Sequence, residues 1–228
     1  KSSPQIELQS LFELNSELPL IKYNKTTTQT LIPRISFKFN PGDMKNHSDA
    51  ERKININNIF DANRIGVDDT FEEGGSLTLG MNYRKENNLD YSKFIEYNLA
   101  TVFRNEEENN IPSQTTLNKK QSNIFGSINY NFSKFGNLEY NFALDNKINN
   151  FEYNSISLGL SLNNFITKFN FIEEESQVGN TNIFENISEY NFNENNFLSF
   201  KTRRNREIDL TEYYDLVYEY KIDCLTAG

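Results

Sequence analysis

Tryptophan is absent from this 228-residue chain, cysteine and histidine occur once each, and no apolar run approaches the ~18 to 20 residues of a membrane helix. Helical periodicity is nearly absent too, and no signal peptide opens the chain. Basic clusters are scarce: with a net charge of -9, only Arg203, Arg204 and Arg206 stand close together, a pattern of solvated strand ends. A nucleic-acid partner, which requires a concentrated Lys/Arg face, is excluded on that ground. The lone histidine, His47, lies in a polar loop beside Ser48 and Asp49, and neighbours in sequence do not form a nucleophilic triad. The chain therefore reads as a non-enzyme without cofactor, and His47 as a solvated loop residue.

Only 36% of residues are hydrophobic, and Asn supplies roughly one residue in six, a composition that suggests disorder. Order is indicated by placement. In residues 155–162, Ile156, Leu158, Leu160 and Leu162 alternate with Ser155, Ser157, Gly159 and Ser161. In 76–84, Leu77, Leu79, Met81 and Tyr83 alternate with Ser76, Thr78, Gly80, Asn82 and Arg84, and in 138–145, Leu138, Tyr140, Phe142 and Leu144 with Glu139, Asn141, Ala143 and Asp145. This period of two is that of strands with one apolar and one polar face.

The pattern predicts about eleven strands, near 4–23, 26–40, 70–85, 90–104, 122–133, 137–145, 150–162, 165–175, 181–192, 196–206 and 211–223. Many exceed the usual five or six residues of a globular strand. Tight turns at 24–25, 86–89, 133–137, 163–164 and 193–196 alternate with longer links at 41–69, 105–121, 145–150, 176–181 and 207–210, as an up-and-down meander requires. Long strands, apolar outside and polar inside, suit an outer-membrane barrel: all-β, antiparallel, up-and-down and transmembrane. Lys38, Arg84, Glu139, Asn141, Ser157, Ser161, Asp215, Glu219 and Lys221 would face the lumen, and Tyr83, Tyr130, Tyr190 and Tyr220 would belong to an interfacial girdle. Residues 1–228 would form part of a single barrel domain, with 41–69 a long extracellular loop; about eleven strands is an odd number, so the barrel is expected to be incomplete.

Short turns of such barrels face the periplasm, so the last strand runs inward and brings Cys224 to the periplasmic rim, an oxidising space. An odd cysteine implies a disulfide partner outside the chain; the alternative is a buried cysteine acting as a small apolar residue. Beginning at Lys1 rather than Met, the chain reads as a piece of a longer polypeptide that does not fold alone. Acidic residues Asp61, Asp68, Asp69, Glu72 and Glu73 could offer oxygen ligands to a divalent cation, although their spacing matches no calcium loop.

Residues 57–83 resemble the long loop and following strand of the LptD family, the lipopolysaccharide-assembly proteins of the Gram-negative outer membrane. Ile59-Phe60 and Asn63-Arg64 match the family's LF-x-x-NR pattern, Gly66 its glycine, Asp69 and Glu72 its acidic pair, and Gly74 and Gly80 its later glycines. One extra residue separates Gly66 from Asp69; two family arginines are Thr70 and Ser76, and a family tyrosine is Leu79. Residues 17–41 resemble the family's preceding hairpin, and the ending, with Tyr220, Asp223 and Cys224, its penultimate strand. The resemblance implies a C-terminal part of the barrel that inserts lipopolysaccharide into the outer leaflet around an LptE-like plug lipoprotein. It implies also a missing N-terminal domain that meets a periplasmic lipopolysaccharide-bridge protein and supplies the partner of Cys224. The alternatives are a porin or receptor-type barrel, or a soluble all-β binding or adhesin module.

Overall fold

The computed structural model describes residues 9–175, 179–222 and 225–227. Among them are thirteen strands: β1 (Phe12–Glu17), β2 (Leu20–Tyr23), β3 (Thr27–Asn40), β4 (Gly74–Asn87), β5 (Phe94–Arg104), β6 (Ile124–Ser133), β7 (Gly136–Leu144), β8 (Phe151–Leu162), β9 (Phe165–Glu174), β10 (Thr181–Asn193), β11 (Asn196–Asn205), β12 (Leu210–Ile222) and β13 (Leu225–Ala227). The helical element described is a single 3-10 turn at Ser113–Thr115, and no helix is long and apolar enough to cross a membrane. The strands form one antiparallel sheet in sequence order, with β1 and β2 lying end to end along β3. The described sheet is not closed, as an incomplete barrel would be.

Each of the eleven expected strands is present, β13 is additional to them, and three of the expected ones need correction. The first is split, β1 pairing up to Glu17↔Arg34 and β2 from Leu20↔Leu31. Proline explains the break: Pro19 has no N–H to donate, and neither has Pro33 opposite, whose carbonyl accepts from Leu18 N at 3.2 Å. Secondly, β4 starts at Gly74 rather than residue 70, because Thr70–Glu73 belong to the packed loop described below. Thirdly, β5 starts at Phe94, since Asp90 accepts from Ser92 N and Lys93 N to make a turn.

Tight connections fall at one end of the sheet and long ones at the other. Asn163, in the left-handed region at φ 50°, shapes the two-residue turn between β8 and β9. Cross-strand register places Ser36, Thr78 and Val102 in one row and Lys38, Ser76 and Arg104 in the next, all on the polar face. Following the pairing across the sheet puts all nine expected lumen residues on this same face. The opposite face exposes large apolar residues from β1 to β12, among them Phe12, Phe37, Met81, Leu162, Tyr214 and Leu216. A sheet that leaves so many aromatic and aliphatic side chains uncovered offers a contact surface for lipid or another apolar partner on that side.

The compact apolar core therefore lies on the polar face, at the long-loop end. Residues 41–73 and 105–123 fold back over the sheet, and Ile54, Ile59, Ile65, Ile111 and Leu117 pack against Ala100, Val102, Phe125 and Ala143. Small residues on β5 and β7 make room for the loops where longer side chains would fill the space.

Candidate functional site

The loop between β3 and β4 is fastened to the polar face by a buried ionic cluster. Arg64 grips Glu72 with both prongs of its guanidinium, Nε to Oε2 at 2.8 Å and Nη2 to Oε1 at 2.6 Å. It also donates to Thr78 Oγ1 at 2.7 Å, Ser76 Oγ at 2.9 Å and the Ile59 carbonyl at 3.3 Å. Loop, sheet and carboxylate are thus held by one side chain, with the planar fork geometry that arginine alone supplies. Arg104, at the end of β5, donates to Glu72 Oε1 and to the Glu73 carbonyl. Lys38, on β3, donates to the Asp61 carbonyl, with Glu13 3.9 Å away.

The side chains of Arg64 and Arg104 are each 1% exposed and that of Glu72 8%. Burial alone would push the Glu72 carboxyl up, but the facing Arg64 and Arg104 guanidiniums outweigh it and hold the group below its ordinary value of 4.5. Breaking such a pair would strand a charge in a buried site, so the cluster fastens the loop to the sheet as a latch.

Neighbouring motif residues shape the loop around this latch. The Phe60 ring lies over Gly80, where a Cβ would come within 2.7 Å of Phe60 Cζ and 2.9 Å of the Leu99 carbonyl oxygen, so a side chain does not fit. Arg34 covers the other side of Phe60, its Cζ 4.2 Å from the ring centroid. Asn63 donates to the Val67 carbonyl at 2.6 Å across the turn, where Gly66 adopts φ +67°, a conformation that favours glycine. Gly74, at φ +77°, turns the loop into β4.

Asp69 lies at the outer edge. His47 Nε2 is 2.9 Å from its Oδ1, and Lys45 Nζ is 3.4 Å from Oδ2. Its carboxyl is held below the ordinary carboxylate range: desolvation, the largest single influence, pushes up, while the hydrogen bonds and charges of Lys45 and His47 together prevail. His47 is thus not simply solvated; it pairs with a residue 22 positions away. Ser48 and Asp49, its sequence neighbours, make no relay with it. Asp69 and Glu72 are committed to cationic partners and Glu73 accepts from Met44 N at 3.0 Å, and no group of three metal-ligating side chains occurs among the described residues.

The structure gathers Phe60, Asn63, Arg64, Gly66, Glu72, Gly74 and Gly80 into this one latch, with Asp69 at its rim. Cys224 lies outside the described residues. Arg104 and Lys38 complete the cluster, and sequence reasoning did not assign Arg104 to it. The strand alternation does put Arg104 on the same face as Lys38 and Ser76, the signal that points there. Glu72 draws its charge partners from Arg64 and Arg104.

A second feature adjoins the latch: a cavity of about 790 Å³ between the two folded-back loops and β6 to β9, lined by Lys53, Asn118, Asn123, Asn141, Glu152 and Tyr153 among others. The family model described as LptD: LPS transport system D matches residues 2–205. No match was found among curated proteins.

Proposed function

Because this chain belongs to the LptD family, whose members serve lipopolysaccharide transport in the outer membrane, we propose that it forms part of the barrel wall through which lipopolysaccharide reaches the outer leaflet. The observation that carries this reading is the two-faced sheet. Its apolar face is left uncovered from edge to edge, as lipid contact requires, and its polar face is lined for a hydrated glycolipid. A soluble module would bury that apolar face against a second layer.

In this reading the tight-turn end faces the periplasm and residues 41–73 form an extracellular loop that the Arg64–Glu72–Arg104 latch folds into the lumen. The described strands form part of a larger barrel, which an LptE-like plug lipoprotein would enter. A further N-terminal domain would receive lipopolysaccharide from the periplasmic bridge protein and pair by disulfide with Cys224. Transport needs no chemistry on the substrate: binding, shielding and release suffice. The test is depletion of the full-length protein in cells, followed by complementation. Newly made lipopolysaccharide should stop reaching the surface on depletion and resume with the wild-type gene. Unchanged surface delivery after depletion would refute the proposal.

A further inference from the structure

The two connections that fold back over the polar face are joined to each other as well as to the sheet. His47 N donates to the Asn110 carbonyl at 2.9 Å and Ser113 N to the Ser48 carbonyl at 3.3 Å, so residues 47–48 run against 110–113. Met44, Ile54, Ile59, Ile65 and Val67 of the first connection share one buried apolar cluster with Ile111 and Leu117 of the second. Segments tied by backbone bonds and a common core move as one body.

That body is fastened unequally. On the β3–β5 side stands the latch, whose guanidiniums and carboxylate are almost wholly buried and which holds its side by roughly 10² to 4 × 10³-fold. Beside it, Arg104 N donates to the Lys120 carbonyl at 2.8 Å and Ser122 N to the Val102 carbonyl at 2.9 Å. Over β6 to β9 lies the cavity of about 790 Å³ instead of close packing. The second connection is held there at its root, by Asn123 on Glu152 and by Asn146 on the Gln121 carbonyl. The ionic contact of the first is Lys53 with Glu174 on β9. Their side chains are 51% and 20% exposed, so water screens the pair, which favours the closed arrangement by no more than about fivefold. Ile54 adds apolar contact at the margin of the cavity, but a void of that size leaves its lining short of partner atoms. The result is a hinge on β3–β5 and a loose edge over β6–β9.

We propose that residues 41–73 and 105–123 form one lid, and that its edge over β6–β9, closed by Lys53 and Glu174, is the outlet through which the hydrated part of the glycolipid leaves the lumen. The proposal rests on the transport reading and adds to it the place of exit and the contact that closes it. The lining suits passage: Lys53, Lys119, Glu152, Glu174, Asn55 and Asn141 mix both charges with neutral amides and favour no single group of the cargo. The test uses the full-length protein in depleted cells. Lys53→Cys with Glu174→Cys is joined by a short bifunctional maleimide, and fragments that stay linked after proteolysis report the fraction joined. Delivery of newly made lipopolysaccharide to the surface should fall in proportion to that fraction, while each single-cysteine variant, treated alike, should lose less than about twofold. Undiminished delivery by linked protein, or a folded pair that the reagent does not join, overturns the outlet. A second measurement is independent of transport. Glu174→Lys turns attraction into repulsion, so in solubilised protein that shows the heat-modifiable gel shift of a folded barrel, trypsin cleavage after Lys53 should rise about three- to tenfold relative to cleavage after Lys45, beside Asp69 on the hinge side. An equal change at both lysines overturns the unequal fastening. Surface delivery on depletion is read separately, so the outlet can fail while transport stands.

Discussion

Replacing Glu72 by alanine removes the one carboxylate at the centre of the latch. Arg64 loses its two-pronged partner at 2.8 and 2.6 Å and Arg104 loses its contact to the same group, leaving two guanidiniums with side chains 1% exposed and no counter-charge from Glu72. Breaking a buried pair by deleting one member costs about 3 to 5 kcal/mol. That cost falls on the loop rather than the barrel, since the ladder of antiparallel strands owes nothing to Glu72, and opening the loop rehydrates both arginines. The open population of residues 41–73 should therefore rise by roughly 10² to 4 × 10³-fold. Trypsin applied to the folded, detergent-solubilised full-length protein reads this directly, because Lys45, Arg52 and Lys53 lie in the loop and cleavage follows the open population when reclosing is fast. Glu73→Ala is the control: it loses only a hydrogen bond from Met44 N and should change cleavage by less than about tenfold. In the Arg64→Met, Glu72→Met double variant the effect should be well below the sum of the singles, since each single strands the other's charge. Cleavage of Glu72→Ala within threefold of wild type, or additive singles, would refute the latch.

Gly80→Ala should lower the temperature of the heat-modifiable gel transition by an amount equivalent to about 1 to 3 kcal/mol, since the new Cβ meets Phe60 Cζ at 2.7 Å and the Leu99 carbonyl oxygen at 2.9 Å. Adding Phe60→Ala should restore only part of this, because the backbone contact stays; an unchanged transition in Gly80→Ala would contradict the packing. Acid should open the loop. The Glu72 carboxyl is depressed in the folded state, so its contribution is complete above its ordinary value of 4.5 and is lost as pH falls through the lower folded value. Hydrogen exchange across 41–73, corrected for intrinsic rate, should lose protection as pH drops below about 4.5, and Glu72→Gln should flatten that dependence. An identical pH profile in Glu72→Gln would assign the acid sensitivity to another group.

The strands and their two faces were legible because period-two alternation is local: each residue's neighbours in sequence decide which way it points. Leu158 against Ser157, or Leu79 against Thr78, states its face without knowledge of the partner strand. Turn parity followed from the same pattern, and prolines 19 and 33 limited it, since a missing donor breaks a ladder without disturbing the alternation on either side. Family resemblance marked residues 60 to 80 as a unit but did not say what united them. What Glu72 pairs with was beyond the sequence: Arg104 lies 32 residues away at the end of β5, and a face assignment does not choose among the charges it contains.

The sequence by itself determined the strand order, the polar and apolar faces, and the end at which the long links gather, all consequences of backbone periodicity and short connections. Only the tertiary structure decided that the long links fold back over the polar face, that three cations converge around one buried carboxylate, and that an amide-lined cavity remains beside them. Those outcomes depend on packing between segments far apart in the chain, where volume and charge must match across space and no local repeat records the match.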